Sequence, residues 1–330
     1  MRVVMVIPGS EQGSSMIFAK RQADYLRHHL GVDVHLFYLD TRVSIRALIR
    51  QFIRLRQAVR RIDPDCVHAQ YGTITGLLTR LSTARPFVIT FRGSDLNPCL
   101  DISVYRSRLG HFLSQIAALT ASSIICVSHR LRSKLWWSAN RAQVIPSGVN
   151  TDEFLPTPLQ EARRRLGWNP DEKVALINVG GVPKTKRLDL ATAAFETVRT
   201  LTNQPCRLVV LDGSTHWSTM PTIVSASDCV LVTSAYEGAP SIIQEALACN
   251  TPIVTVDVGD APLLVAGVCG CHVVERQPAA IAEAVLSTWN SGRLPHGRER
   301  AEATSLRDSC ARTAACYAIA VGDRRHLLSI

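Results

Sequence analysis

The sequence predicts an α/β protein made of two domains, and three observations support this. The chain has 330 residues, which is long for a single core and suits two domains of about 150 residues each. Short apolar runs alternate with segments of helical spacing, a pattern typical of parallel sheets that helices cover on both faces. The alternation is interrupted near residue 150 by a polar stretch, typical of a linker, that contains Pro146, Gly148, Pro156 and Pro158.

Local patterns place the elements of the first half. Apolar runs predict buried strands, and the stretches of helical spacing between them predict helices. Strands are expected at residues 2–7, 32–39, 66–69, 87–91 and 123–127, and helices at 14–30 and 44–62. Serines at the start of the first helix are available to cap it.

The second half repeats this arrangement after a short helix at residues 159–166. Strands are expected at residues 173–179, 207–211, 229–233 and 252–256, and helices at 189–201, 241–249 and 278–289. Ligands of such sheets bind at the carboxyl ends of the strands. We therefore expect a ligand site there, in the cleft between the two halves.

The composition indicates a soluble cytoplasmic protein. Apolar residues make up 46% of the chain, and no apolar run has the roughly 18 to 20 residues of a membrane span. The start, MRVVMVIPGS, lacks the features of a secretory signal. The ten cysteines lie mostly in apolar runs and form no CxxC pair, so we expect reduced structural thiols and no metal site.

The positive charge of the chain is confined to its first half. The formal net charge is +10. Residues 1–155 contain 20 Lys and Arg against 10 Asp and Glu, whereas residues 156–330 contain 17 of each class. This asymmetry indicates an anionic partner for the first half, either a membrane surface, a nucleic acid or a phosphorylated substrate. Nucleic acid is disfavoured because no basic-aromatic motif is present.

The helix predicted at residues 44–62 concentrates this charge. It contains Arg46, Arg50, Arg54, Arg56, Arg60 and Arg61 and no acid. With Arg42, the first three form a stripe of four-residue spacing, and the apolar residues fall mostly on the other side, where we expect the core. The basic face predicts contact of Arg46, Arg50 and Arg54 with anionic lipid headgroups, at the inner face of the membrane. A solvated charged face is the alternative.

The segment of residues 231–260, LVTSAYEGAPSIIQEALACNTPIVTVDVGD, predicts an anion site. A strand is followed by a turn with Glu237 and Gly238, and Pro240 lies where a helix begins. The first amides of that helix, at Ser241, Ile242 and Ile243, have no partners inside it and with the helix dipole suit a diphosphate. Glu245 lies one turn further on, where it would accept hydrogen bonds from the ribose hydroxyls. Taken alone, both glutamates would be solvated surface charges.

Within this segment, EGAPSIIQEALACNTPIV closely resembles the EGxPxxxxEAxAxxxPVV signature of the family-4 retaining glycosyltransferases. That family has the GT-B fold, in which two Rossmann-like α/β domains face a central cleft. Four further segments are similar to segments of the family: HAQYG at 68–72, TFRGSDL at 90–96, VSHRLRSKL at 127–135 and IPSGVNTDEF at 145–154.

The resemblance implies a reaction and a separate role for each domain. A sugar, by resemblance a hexose, passes from a nucleoside diphosphate to an acceptor hydroxyl with retention, and neither metal nor cofactor is needed. Residues 1–150 are the acceptor-binding domain, which the last helix at about 311–330 rejoins, and residues 151–310 bind the nucleotide sugar. Glu237 lies near the donor sugar and Glu245 near the ribose. The acceptor is a lipid-linked or cell-envelope glycan, or a small molecule.

The second domain departs from the family at one diphosphate-binding position. The family has G-R-L-x-x-x-K-G, whereas this chain has GGVPKTKR at residues 180–187. Lys186 aligns with the family lysine and is predicted to be catalytic, but Gly181 replaces the arginine. Lys184 or Arg187 are the cations that would compensate. Further along, His216 and Trp217 are candidates for stacking on the nucleobase, and packing of Trp217 on the core is the alternative.

The first domain departs from the family at Arg92, where many members have histidine. Guanidinium stays protonated, so Arg92 cannot act as a base. We expect it in the site, paired with a phosphate or a sugar hydroxyl, or else in a salt bridge with Asp95 or Asp101. Gly13 lies in the loop that the family places near the donor phosphates, and a turn without ligand is the alternative.

These departures keep two other functions open. One is another GT-B sugar-nucleotide enzyme, such as an epimerase. The other is a non-catalytic protein that binds nucleotide sugars.

Overall fold

The computed structural model describes residues 1–11, 16–40 and 44–322. Contacts divide the chain into two compact units, one formed by Met1–Ser147 with Leu306–Ile330 and the other by Gly148–Ser305. Each unit is a parallel sheet whose strands alternate with helices along the chain, which confirms the predicted pair of Rossmann-like α/β domains. No described helix is both long and apolar enough to cross a membrane.

Within the described residues, the sheet of the first unit has six strands. They are β1 (Arg2–Pro8), β2 (Asp33–Leu39), β3 (Cys66–Ala69), β4 (Phe87–Phe91), β5 (Ser123–Cys126) and β6 (Ala142–Val144), in the spatial order β2-β1-β3-β4-β5-β6. All neighbouring pairs are parallel. Five of the strands were predicted. β6 was missed because its three residues carry no local signal.

Five helices of this unit connect the strands. They are α1 (Ile17–Leu30), α2 (Ile45–Ile62), α3 (Thr73–Leu81), α4 (Val104–Leu119) and α5 (His129–Arg132). Ser44 caps α2, because its side chain accepts the amide of Ala47. Arg42 and Gly13 lie outside the described residues, as do the serines predicted to cap α1.

The second unit has five strands and seven helices. The strands are β7 (Lys173–Asn178), β8 (Cys206–Leu211), β9 (Cys229–Val232), β10 (Ile253–Val256) and β11 (His272–Val274), in the order β11-β10-β9-β7-β8. The helices are α6 (Leu159–Leu166), α7 (Leu188–Leu201), α8 (Met220–Ala226), α9 (Ser241–Ala248), α10 (Ala261–Val265), α11 (Pro278–Ser291) and α12 (Gly297–Glu302). The final helix, α13 (Leu306–Val321), packs on the first unit.

The helices of the first unit form two layers. Alternate residues of a strand point to opposite faces of the sheet, and in β1 Val4 and Val6 pack with α2 and α3 while Val3, Met5 and Ile7 pack with α1 and α13. α4 lies against α3, where Gly76 allows close approach of Ala117. One face of the sheet is therefore covered by α2, α3 and α4, and the other by α1 and α13.

The prediction for the apolar face of α2 was wrong in part. Leu55 and Val59 are buried, but Ile45, Ile49 and Ile53 are 78%, 53% and 48% exposed. These isoleucines lie about 100° around the helix from the stripe that faces the sheet. They border Arg46, Arg50 and Arg54, which are also exposed. The buried seam is thus narrower than the apolar face, and an apolar stripe remains beside the basic one.

A buried polar network joins α13 to the sheet. His68 is fully buried, and its Nδ1 lies 2.7 Å from the hydroxyl of Tyr317 while its Nε2 lies 2.8 Å from Oγ1 of Thr90. Burial, with the nearby Arg92 charge, lowers the pKa of His68 to about 3. The imidazole is therefore neutral in the folded protein at physiological pH.

We predict that His68 makes the protein less stable in mild acid. In the unfolded chain histidine titrates near 6.5, so between pH 6.5 and 3 the unfolded state holds the additional proton. The free energy of unfolding should fall by roughly 1 kcal/mol per pH unit on this account. Urea unfolding at pH 7.5 and 5.0 should show a smaller loss for His68→Gln than for wild type. Equal losses in the two proteins would contradict the prediction.

Candidate functional site

The candidate site lies in the second unit, at the carboxyl ends of β7, β9 and β10. β9 pairs with both β7 and β10, and all three run parallel. The loops that follow them therefore start at the same edge of the sheet. These loops contain the residues that the sequence singled out, Lys186 after β7 and Glu237 after β9.

Lys186 and Glu237 form an ion pair at this edge. Nζ of Lys186 lies 2.5 Å from Oε1 of Glu237, and the Ser234 hydroxyl donates to the same oxygen at 2.7 Å. The two side chains are 24% and 12% exposed, so a cation and a carboxylate are held together with limited access to water. The sequence predicted each residue separately, and only the structure shows that they are partners.

Two hydrogen bonds tie the two loops together. The amide of Ala235 donates to the carbonyl of Thr185 at 2.8 Å, and the hydroxyl of Thr233 donates to the carbonyl of Lys186 at 2.9 Å. Both glutamate and lysine are thus carried by loops whose backbones are fixed to each other. Such fixed loops suit a site that must keep its charges in place before the ligand arrives.

Arg276 braces the loop from a third strand, and the sequence analysis missed it. It lies just beyond β11 and donates to the carbonyl of Ser234 at 2.6 Å and to that of Asp257 at 3.2 Å. The guanidinium thereby links the loops that follow β9 and β10. A cation just after a strand would have been a usable signal, but β11 was not predicted.

Gly259, which the sequence analysis also missed, supports the Glu237 turn from behind. Its φ is +51°, and the Asp260 amide donates to the Gly238 carbonyl at 3.1 Å. A Cβ at residue 259 would overlap that carbonyl oxygen and come within 3.0 Å of Cβ of Glu237. Only glycine therefore lets the two loops approach this closely.

We expect Gly259→Ala to lower activity about a hundred-fold, because displacing a reacting group by about 1 Å has an effect of this size. Gly267→Ala is the matched control. Gly267 also has a positive φ, of +74°, but a Cβ there meets nothing within 4 Å. Both variants carry backbone strain, so only displacement of the Glu237 turn separates them in a transfer assay. Equal activity of the two variants would show that the turn tolerates displacement.

The start of α9 keeps part of the predicted anion site. Pro240 precedes the helix, and no side chain caps it. The amide of Ile243 donates to the carbonyl of Pro240 at 3.1 Å, so the prediction of a partnerless amide was wrong for this residue, because the first turn closes on itself. Ser241 and Ile242 remain the candidate amide donors. Glu245 is half-buried one turn further on, and Asn250, just after the helix, has a positive φ of +55°.

The loop after β7 holds the remaining predicted donor-binding residues. Gly181 and Lys184 are both exposed, and a Cβ at Gly181 would meet nothing within 4 Å. Arg187 forms an ion pair with Asp189 at 2.9 Å, which raises the pKa of the arginine. Of the two cations proposed to compensate for Gly181, Arg187 is thus engaged by its own helix. The rings of His216 and Trp217 lie 5.7 Å apart and tilted by 33°, and Trp217 is 43% exposed, so the core alternative for Trp217 was wrong.

Arg92 belongs to the first unit and forms no salt bridge within the described residues. Its guanidinium donates to Ser147 at 2.9 Å, to Gln22 at 3.1 Å and to Gln70, and lies over the ring of Phe18. The alternative of a salt bridge with Asp95 was wrong, because the Asp95 carboxylate instead accepts hydrogen bonds from backbone amides, including that of Arg92.

The side chain of Arg92 therefore keeps a positive charge among neutral partners. Burial lowers its pKa to about 10, against the opposing effect of Asp95, so the guanidinium remains protonated at neutral pH. Its Nε is buried and has no hydrogen-bond partner in the described part of the chain. Such a group can attract an anion.

Two family models match the chain. "Glycosyltransferase Family 4" matches residues 12–153, and "Glycosyl transferases group 1" matches residues 170–291. Among curated proteins, the chain is 27% identical over 248 residues to the teichuronic acid biosynthesis glycosyltransferase TuaC of Bacillus subtilis, covering 68% of this chain and 61% of TuaC. It is 31% identical over 153 residues to the D-inositol 3-phosphate glycosyltransferase of Segniliparus rotundus, covering 38% of this chain and 34% of that protein. The matches thus span about three fifths or less of these relatives.

Solved structures show the same fold. Sucrose-phosphate synthase from Thermosynechococcus elongatus has a TM-score of 0.75 at 16% identity, covering 96% of this chain and 98% of its own. Anabaena HepE, in complex with UDP and glucose, has a TM-score of 0.70 at 17% identity with the same coverage. The UDP-GlcNAc 2-epimerase of Methanocaldococcus jannaschii has a lower TM-score, 0.56 at 11% identity, covering 92% and 98%.

Proposed function

The chain belongs to the family-4 glycosyltransferases of the GT-B fold, and on this premise we propose that it transfers a hexose from a nucleoside diphosphate sugar to an acceptor hydroxyl. The proposal includes retention at the anomeric carbon and no requirement for a metal or cofactor. The observation that carries it is the Lys186–Glu237 pair beside the start of α9. This arrangement offers a cation and helix amides to a diphosphate, and a carboxylate to sugar hydroxyls.

Each group has a distinct task in the proposed reaction. Negative charge grows on the diphosphate as the glycosidic bond breaks, and Lys186 with the amides of Ser241 and Ile242 stabilises that charge. Donor binding draws Lys186 towards the diphosphate and leaves Glu237 to accept hydrogen bonds from the sugar. Glu245 holds the ribose. Arg92 is a further residue that we propose for the reaction, and Gly13, Gly181 and Lys184 are those that we propose for binding the donor phosphates.

Thermal unfolding with a panel of nucleoside diphosphates and their sugars tests donor binding. A ligand at 100 times its Kd stabilises the folded state by about 2.7 kcal/mol, which is measurable for the correct base. Product analysis with the best donor then separates the candidates. Transfer to an acceptor supports the proposal, an epimerised nucleotide sugar identifies an epimerase, and binding without turnover identifies a non-catalytic protein.

We propose that the acceptor is a lipid-linked or other cell-envelope glycan at the inner face of the cytoplasmic membrane, although a small-molecule acceptor is compatible with the same chemistry. The teichuronic acid relative supports an envelope glycan. The exposed arginines of α2 support a location at an anionic surface.

Replacing Arg46, Arg50 and Arg54 with glutamine should weaken binding to anionic vesicles about a hundred-fold at low salt, since each arginine near such a surface contributes about 1 kcal/mol. Sedimentation with phosphatidylglycerol-containing vesicles measures this. The control variant replaces three exposed arginines of the second unit, Arg164, Arg165 and Arg199. If both variants lose binding equally, net charge and not the α2 stripe is responsible.

A further inference from the structure

The helix layer formed by α2, α3 and α4 is uniformly basic. These three helices contain nine arginines and no aspartate or glutamate. The opposite layer differs, since α1 contains Asp24 and α13 contains Asp308. The helices of this face therefore contribute only positive charge, and α3 and α4 add to the charge of the α2 stripe.

An apolar helix face is exposed within this layer. On α4, Tyr105, Leu109, Phe112 and Leu119 are 86%, 58%, 50% and 46% exposed. At 100° per residue these four positions fall within about 80° of the helix circumference, and thus form one face. Arg106 and Arg108 are exposed on the same helix. Contiguous exposed apolar surface on a soluble domain usually marks an interaction site.

Two exposed tryptophans lie in a segment that packs next to α4. Trp136 and Trp137 are 57% and 58% exposed and lie edge to face at 5.2 Å. Gln115 of α4 holds their segment in place, because its amide donates to the Lys134 carbonyl at 3.0 Å and accepts the Trp136 amide at 3.0 Å. The pair is thus fixed beside α4 while its rings remain in solvent.

We propose that the face formed by Tyr105, Leu109, Phe112, Leu119, Trp136 and Trp137 inserts into the surface of an anionic lipid bilayer. Tryptophan and tyrosine favour the boundary between headgroups and acyl chains, and an apolar face beside basic residues is typical of a protein that lies in this boundary. Residues 102–141 contain six Lys and Arg and no acid. A second copy of the chain on this face would bring these like charges together, whereas anionic lipid neutralises them.

This surface differs from the electrostatic contact of α2 in its physical basis. Salt screens the attraction between exposed charges, but it does not weaken the burial of apolar side chains. The inserted face should therefore retain part of the vesicle binding at 0.5 M salt, where the Debye length is only about 4 Å. Insertion into lipid does not depend on sugar transfer. The vesicle experiments below therefore test it even if the proposed donor or reaction is wrong.

Tryptophan fluorescence tests insertion directly. The chain contains five tryptophans, and the other three, Trp168, Trp217 and Trp289, lie in the second unit. Vesicles of phosphatidylcholine with phosphatidylglycerol should shift the emission to shorter wavelength, and nitroxide-labelled lipids should quench it. Trp136→Ser/Trp137→Ser should lose both responses. Responses that persist in this variant would overturn the proposal, because they would come from the second unit.

A second pair of variants separates insertion from loss of folding. Tyr105→Ser/Leu109→Ser/Phe112→Ser keeps the net charge, and we expect it to bind the same vesicles about ten-fold more weakly. Its control, Leu155→Ser/Leu201→Ser/Leu263→Ser, replaces similarly exposed leucines of the second unit and should bind as wild type does. Equal binding by the two variants would overturn the proposal. So would a dimer in sedimentation velocity that only the α4 variant abolishes.

Discussion

Lys186→Ala should lower the rate constant of sugar transfer about a hundred- to a thousand-fold. Removing one preorganised group that stabilises developing negative charge has an effect of this size, and Lys186 is a partly buried cation of the site, with its side chain 24% exposed. The loss should appear mainly in kcat, because the charge of the leaving diphosphate grows in the transition state. Steady-state kinetics with the donor found by thermal shift measures it.

Two control variants test whether the loss in Lys186→Ala comes from the charge at this position. Lys186→Arg keeps the charge and should recover part of the activity, although its planar group reaches the diphosphate differently. Lys184→Ala removes an exposed lysine of the same loop and should cost no more than about ten-fold, because solvent screens exposed charges. The proposed role of Lys186 would be wrong if the alanine variants at both positions retained the same activity.

Glu237→Gln should lower kcat about a hundred-fold while leaving the protein folded. Glutamine has the same shape, and its amide oxygen can still accept the Ser234 hydroxyl that now lies 2.7 Å from Oε1. What is lost is the charge that strengthens hydrogen bonds to the donor sugar. Transfer assays and thermal unfolding of the same preparation separate activity from stability.

Two further glutamates supply the comparison for Glu237. Glu245→Gln should raise KM for the donor about ten-fold with little change in kcat, because ribose contacts are the same in the ground and transition states. Glu283→Gln alters an exposed residue of α11 and should behave as wild type. A Glu237→Gln variant that released nucleotide as fast as wild type would contradict a catalytic role.

The sequence by itself determined the fold class and most of the elements. Burial on both sides makes a central parallel strand continuously apolar, so β9, with all four residues apolar and buried, begins and ends where its apolar run does. The EGAPSIIQEAL segment likewise specified a strand, a turn and a helix start through Gly238 and Pro240. These features depend on residues a few positions apart, and local patterns report them directly.

The tertiary structure decided which distant residues meet. Lys186 and Glu237 are 51 residues apart, and they become partners because β9 lies beside β7 in the sheet. Arg276 and Gly259 reach the same turn from the strands on the other side. No local periodicity encodes strand order, so the roles of Arg276 and Gly259 could not be predicted from the sequence.

Tertiary packing also decided which side of α2 is buried and which groups bind the Arg92 side chain. The amphipathic pattern of α2 was predicted, but the width of the seam that the sheet buries is set by the sheet, and Ile45, Ile49 and Ile53 fall outside it. For Arg92, a salt bridge with Asp95, three residues away, was one of the alternatives to a place in the site. The Asp95 carboxylate instead accepts hydrogen bonds from backbone amides. The guanidinium of Arg92 therefore donates to neutral acceptors from elsewhere in the chain.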